Sequence, residues 1–178
     1  MISDSQVFCR AMVVHWMFET LGTVNKTMKK LDFSIRSATK EDAAFIRRLI
    51  WQVGINPLGL DWRRFVVAVH ANGTRLGCVQ LKVHKDGSSE LASLAVLPLY
   101  RQQRVAEALI RTILIDLNPP VFLTCRGSLV SFYERFGFQE ISDVNSMPVY
   151  FRRIKRIFTW LEKRKWVEHL VVMIWDTE

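Results

Sequence analysis

Between Ser89 and Phe138 the sequence permits few folds. Glu90-Leu-Ala-Ser-Leu-Ala-Val96 is an apolar run without proline, as a buried strand should be. Pro98 ends it. After a short polar turn, the apolar positions Val105, Ala108, Leu109, Ile113 and Leu114 recur at three and four residues, the period of a helix packed on one side. A helix entered in this way presents free backbone N–H groups and the positive end of its dipole, which together suit a phosphate. Arg101 and Arg104 add charge that pairs well with phosphate oxygens. The same pattern also describes an ordinary strand–loop–helix crossover with solvated arginines.

The rest of the chain sets bounds on that unit. With 178 residues, 49% of them hydrophobic, one domain with appendages is expected, and a disordered chain is excluded. No apolar run reaches the length of a membrane-spanning helix. Arg10, His15 and Glu19 interrupt the apolar N-terminal stretch, so no secretory leader is expected and a cytoplasmic location follows. Cys9, Cys78 and Cys125 are scattered and odd in number, which reads as reduced core thiols. His15, His70, His84 and His169 show no ligand spacing, so no metal site is expected. The net charge of +8 is concentrated in Arg152, Arg153, Lys155, Arg156, Lys163, Arg164 and Lys165. That stretch lacks a base-reading motif and is interleaved with apolar residues, so nucleic acid is not an expected partner.

Taken in order, residues 1–31 read as an N-terminal extension with a partly helical apolar pattern, open to packing on the domain, to pairing two chains as a homodimer, or to preceding the domain loosely. Phe33–Ser37 alternates as a first strand. Thr39-Lys-Glu-Asp42 resembles a capping box and opens a helix to about Val53 that buries Ala44, Ile46, Leu49 and Ile50. Asn56–Trp62 is a loop or short helix. Arg64–His70, Leu76–His84 and the run from Ser89 are strands joined by turns at Asn72-Gly73 and Lys85-Asp86-Gly87. Val121–Cys125 is strand-like, Ser128–Phe136 is helical and closed by Gly137, and Gln139–Ile141 begins another strand. Residues 151–178 read as a basic, apolar tail: helix to about Lys165, then a second amphipathic piece over Trp166–Trp175. Its basic face is either solvated or turned to a membrane surface or protein partner.

Two motifs carry a family resemblance. Val96-Leu-Pro-Leu-Tyr-Arg101-Gln-Gln-Arg-Val-Ala106 resembles the coenzyme A loop of the GCN5-related N-acetyltransferases (GNAT), written Gln/Arg-x-x-Gly-x-Gly/Ala. Arg101 and Ala106 match its outer positions. Arg104 stands where the inner glycine is expected, and Gln102 stands where a further glycine is common. Downstream, Ser131-Phe-Tyr133-Glu-Arg-Phe-Gly137-Phe138 resembles the family's Phe-Tyr-x-x-x-Gly-Phe signature. The resemblance covers residues 33–147. It implies an α/β (α+β) fold: a mixed, mostly antiparallel sheet of six to seven strands, helices on both faces, and splayed parallel strands four and five. The acetyltransferase domain then spans residues 32–150.

The activity so implied is acetyl-CoA-dependent acetylation of a primary amine by direct attack. Backbone groups at Leu94, Ala95 and Val96 would pair with the pantetheine arm, and amides of the Arg101, Gln102, Gln103, Arg104, Val105 and Ala106 segment would cap the pyrophosphate. Glu90, eleven positions before Arg101, stands where family members carry a glutamate base. A solvated strand-end glutamate is the alternative. Tyr133 is the implied proton donor to the departing thiolate, with a core aromatic as its alternative. The acceptor region of the family corresponds here to Asn56–Trp62 and Ser142–Met147, and Trp51, Asp61 and Trp62 are candidate substrate contacts or plain aromatic packing. A competing reading is a non-catalytic coenzyme A-binding or partner-binding module of the same fold.

Overall fold

The computed structural model describes residues 31–115, 117–163 and 169–176. The N-terminal extension through residue 30, with its packing and pairing roles, and residues 164–168 of the basic run lie outside the described residues. Among the described residues, seven strands form one open sheet: β1 Phe33–Ser37, β2 Phe65–His70, β3 Arg75–Val83, β4 Ser89–Val96, β5 Val121–Arg126, β6 Phe138–Glu140 and β7 Leu170–Trp175. Their order is β1-β2-β3-β4-β5-β7-β6, and every neighbouring pair is antiparallel except β4–β5. The helices are α1 Ala43–Gln52, α2 Val105–Ile115, α3 Val130–Glu134 and α4 Val149–Lys163. This is the mixed sheet, with helices on both faces, that the resemblance implied.

Strand alternation divides the core. Leu91, Val121, Leu123, Val171 and Met173 pack against α2 through Val105, Leu109, Ile110 and Ile113, and against Tyr133 of α3. On the opposite face, Ile46, Leu49 and Ile50 of α1 pack on Phe65, Val67, Cys78 and Ala95. Beside them, Phe151 of α4 and Met147 pack on Phe122 and Val172. Ala44, expected inside, is exposed, because the inward stripe of α1 starts at Ile46.

The C-terminal segment departs from expectation. Leu170-Val-Val-Met-Ile-Trp175 is not a second amphipathic piece of a helical tail. It is β7, inserted between β5 and β6 and paired along all six residues of β5. A strand covered on both faces has no apolar–polar alternation to display, so this run carried no period by which to recognise it.

β4 is bent where the fold needs it. Gln80 opposes Ala92 and Cys78 opposes Ala95, so Ser93 and Leu94 together face Val79. Ser93 takes a left-handed backbone (φ 55°). Such a bulge bends the strand and increases its local twist. Just beyond it, a side chain at Gly77 would bring a Cβ within 2.6 Å of the Ala95 carbonyl oxygen, so only glycine lets β3 follow the bent β4. On its other side, β4 pairs with β5 only at Ser89–Val121 and Glu90–Phe122.

α1 is fixed by one buried carboxylate. Asp42 is fully buried and receives Arg36 at 2.7 Å, Arg75 at 2.5 Å and the Thr39 amide at 2.8 Å, tying the helix start to β1 and β3. Burial pushes its pKa up, but those donors together hold the carboxyl well below the usual carboxylate range. A depressed folded-state pKa contributes stability that is complete above the unfolded value of about 3.9 and is lost as pH falls toward the folded one. Asp42→Asn is therefore expected to lower the unfolding free energy by about 3 kcal/mol at pH 7. In urea titrations, the difference from wild type should shrink as pH falls below about 4.

Candidate active site

The turn after β4 is built to expose its own amides. Pro98–Tyr100 forms one 3-10 turn, closed by Tyr100 N–H to Leu97 C=O at 2.9 Å. Arg101 reaches back through Nε to the Val96 carbonyl at 3.4 Å, tying the turn to the strand end. Gln102 and Arg104 then both adopt φ 61°. These are the positions where the coenzyme A loop carries glycine, and the backbone here takes the conformation that glycine favours. At Arg104, where the sequence leaves either conformation open, the chain keeps the left-handed geometry at a steric cost of roughly 1–2 kcal/mol per residue.

The consequence is a concave row of donors. The first bond entering α2 is Ala108 N–H to Arg104 C=O at 3.0 Å. Among the described residues, the N–H groups of residues 102–107 make no backbone hydrogen bond as well aligned as that of Ala108. Successive amides bent by left-handed residues form an anion-binding nest, and here the nest is continuous with a helix N-terminus. Arg101 is half-buried, and Arg104 is exposed at the rim.

The nest opens onto a gap in the sheet. Among the described residues, no strand lies along the β5-facing side of β4 from Leu91 to Val96, because β5 follows β7 instead. Leu94, Ala95 and Val96 therefore offer a strand edge to that gap. Ala95 and Val96 bury their side chains in the two faces of the core, so only their backbone is available.

Glu90 lies at the closed end of this gap, and Tyr133 belongs to the core on the opposite face of the sheet. Glu90 is 7% exposed, follows the last β4–β5 pair, and faces the side covered by α1 and α4. Burial raises its pKa, while His84 and Lys82 oppose that rise. Its Oε2 lies 2.9 Å from His84 Nε2. Tyr133 belongs to the α2–α3 face, with Leu91, Leu123 and Cys125 in its cluster and Phe132 and Phe138 against its ring. Burial pushes its hydroxyl well above the usual phenol range, so it stays protonated at neutral pH.

The acceptor candidates are not gathered into one pocket. Trp51, at the end of α1, is 71% exposed. Asp61 caps its own turn, accepting from the Arg63 amide at 3.2 Å, and pairs with Arg63 and Arg64. Trp62 packs against the α1 cluster with Arg63 over its ring. The Asn56–Trp62 loop is nonetheless held over the Glu90 face. Gln80 donates to the Gly59 carbonyl at 3.1 Å, and Lys82, opposite Glu90 in β3, donates to that of Leu58 at 3.2 Å. His84 and Tyr150 escaped sequence reasoning. The first was legible: with Lys85-Asp86-Gly87 as the turn, His84 and Glu90 become diagonal neighbours on one face of the hairpin. Tyr150 carried no signal, because its partner lies 66 positions earlier.

Among the described residues, no group of three or more His, Cys, Asp or Glu could hold a metal ion. No described helix is long and apolar enough to cross a membrane.

Comparison with known proteins agrees with this geometry. Residues 61–140 match the family model described as an acetyltransferase (GNAT) domain. No curated protein matches the sequence. Among solved structures, the N-acetylglutamate synthase of Neisseria gonorrhoeae, complexed with coenzyme A and N-acetyl-glutamate, superposes with a TM-score of 0.61 at 22% identity. That match covers 84% of this chain and 36% of the other, so the chain spans about a third of that enzyme's length. A Mycobacterium tuberculosis protein in complex with CoA and NLQ gives 0.62 at 20% identity, covering 82% of this chain and 99% of that one. The ribosomal-protein-S18-alanine N-acetyltransferase of Escherichia coli gives 0.56 at 16% identity, with 82% and 96% covered. At these identities the likeness is one of fold.

The left-handed residues make a stability prediction. Arg104→Gly should raise the unfolding free energy by up to about 1 kcal/mol by removing the Cβ clash. Arg104→Val should lower it, because a β-branched residue at positive φ is an outlier. Denaturant titration of the three proteins checks the order.

Proposed function

Because residues 61–140 match the acetyltransferase (GNAT) domain model, we propose that this chain transfers an acetyl group from acetyl-CoA to a primary amine by direct attack. The observation that supports this most is the continuity between the open edge of β4 and the row of amides at residues 102–107. A diphosphate fits the amides, with Arg101 and Arg104 adding charge. A pantetheine arm fits the edge, where Leu94 to Val96 would accept it as an added strand. When bound, acetyl-CoA supplies the activated acyl group as a thioester.

The chain's own groups supply the proton chemistry. A lysine-like amine has a pKa of about 10.4 and arrives charged at neutral pH. Glu90 removes a proton from it. Burial raises the proton affinity of this carboxylate, narrowing the gap it must bridge. On the other face, Tyr133 donates to the departing sulfur. A phenol of raised pKa is a weak acid in water, yet a thiol in the same interior is raised as well. Both partners of that transfer would be desolvated, which raises the proton affinity of each. The amine approaches between the Asn56–Trp62 loop and α4, the elements covering the Glu90 face, with Trp51, Asp61 and Trp62 as outer contacts.

Two measurements test this reading. Titration calorimetry with coenzyme A should show binding to wild type, and no binding at millimolar ligand refutes the cradle. With acetyl-CoA and a panel of amines, Glu90→Gln and Tyr133→Phe should each lower kcat by about 10²-fold or more. Coenzyme A affinity should stay within a few-fold of wild type. Tight binding with no turnover of any amine makes the chain a coenzyme A-binding module instead.

A further inference from the structure

We propose that His84 is the positioning residue that keeps Glu90 ionised and aims its free oxygen, and that α4 holds His84 for this task through Tyr150. The inference rests on Glu90 being the base and adds the device that makes a buried carboxylate usable.

A carboxylate with a side chain 9% exposed is pushed toward its neutral form, and a protonated Glu90 cannot take a proton from an ammonium group. His84 Nε2, 2.9 Å from Glu90 Oε2, is the hydrogen-bond partner placed to oppose this, and the charge of Lys82 adds to it. With Nε2–H donating to Oε2, Oε1 is left for the incoming amine. The imidazole is itself immobilised. The Tyr150 ring stacks on it at 3.5 Å and 19°, and Phe151 meets its edge at 5.6 Å. Tyr150 N–H donates to Asp86 Oδ2 at 2.9 Å, so the start of α4 is pinned to the hairpin tip that carries His84. Aromatic stacking fixes a ring plane at little entropic cost.

The titratable groups facing the pair come from three elements. Lys82 of β3 lowers the pKa of Glu90, as His84 does. Asp86, in the hairpin turn, interacts with His84 and is held down to about 2 by Ser88 and the Tyr150 amide. The Tyr150 hydroxyl of α4 is pushed up to about 12, by burial and then by the Glu90 charge, so it is neutral at working pH. From β5, the neighbour is the apolar Phe122. The proton step balances simply: the ammonium N–H bond breaks, an O–H bond forms at Glu90 Oε1, and the nitrogen keeps the electron pair. Acyl transfer then makes one C–N bond, breaks one C–S bond, and releases one proton per amide formed.

The test follows the Glu90 carboxyl by carbon-13 NMR in wild type, His84→Phe, His84→Gln and Tyr150→Leu, each first shown to be folded by circular dichroism. His84→Phe should move the Glu90 titration to higher pH. His84→Gln, which retains a donor, should move it less, and Tyr150→Leu should move it in the same direction. An unmoved midpoint in His84→Phe overturns the proposal whether or not turnover has been found. Where an amine substrate is turned over, the acid limb of kcat/KM in His84→Phe should shift upward with the carboxyl titration. Its activity should be lost most at low pH and recover toward wild type at high pH. A uniform loss at all pH values overturns the positioning role while leaving acetyl transfer intact. A shifted carboxyl titration together with an unchanged Glu90→Gln enzyme removes Glu90 as base, and the positioning role falls with it.

Discussion

The structure depends on one strand being held on one side and released on the other. β4 is paired with β3 along its length except at the bulge, yet with β5 only at its first two residues. The bulge at Ser93–Leu94 bends it, Gly77 lets β3 follow, and β7 draws β5 the other way. A buried row of unpaired backbone groups is costly. A sheet that leaves such a row open at its centre has an edge ready for another extended chain. The turn that follows presents the amides proposed to take an anion, at the steric cost of two left-handed side chains.

The gap also explains why the proposed acid and base sit where they do. Successive residues of β4 point to opposite faces. Glu90 faces α1 and α4, while Leu91 joins the cluster that contains Tyr133. Groups on the two sides of a sheet meet nothing in common unless the sheet is open between them. Here the opening starts at Glu90, and the proposal places a reacting centre in it with the Glu90 carboxylate on one side and the Tyr133 phenol on the other. Burial raises the proton affinity of both, which suits one for taking a proton and keeps the other protonated until a stronger base forms beside it.

Much of this was legible in the sequence because local pattern and chemistry coincide there. β4, its turn and α2 announce themselves by an apolar run, Pro98 and a three–four period, and the Tyr133 signature follows at a fixed distance. The capping box of Thr39 and Asp42 is present as read. What was hidden depends on distant partners. β7 is a uniformly apolar run because both its faces are covered. The acceptor side depends on α4, which packs Tyr150 on His84 across many intervening residues. The left-handed backbone at Arg104 was open in the sequence, since a side chain there is compatible with either conformation. Only the turn around it decides.

The central claim is that the amides of residues 102–107 and the free edge of β4 form one continuous coenzyme A site. Amide-resolved NMR of the uniformly labelled protein, titrated with coenzyme A, tests it most directly. The account predicts large saturable shifts at residues 102–107 and at Leu94, Ala95 and Val96, with inorganic pyrophosphate reproducing only the first group. Shifts confined to other parts of the surface, or none at millimolar coenzyme A, would contradict it.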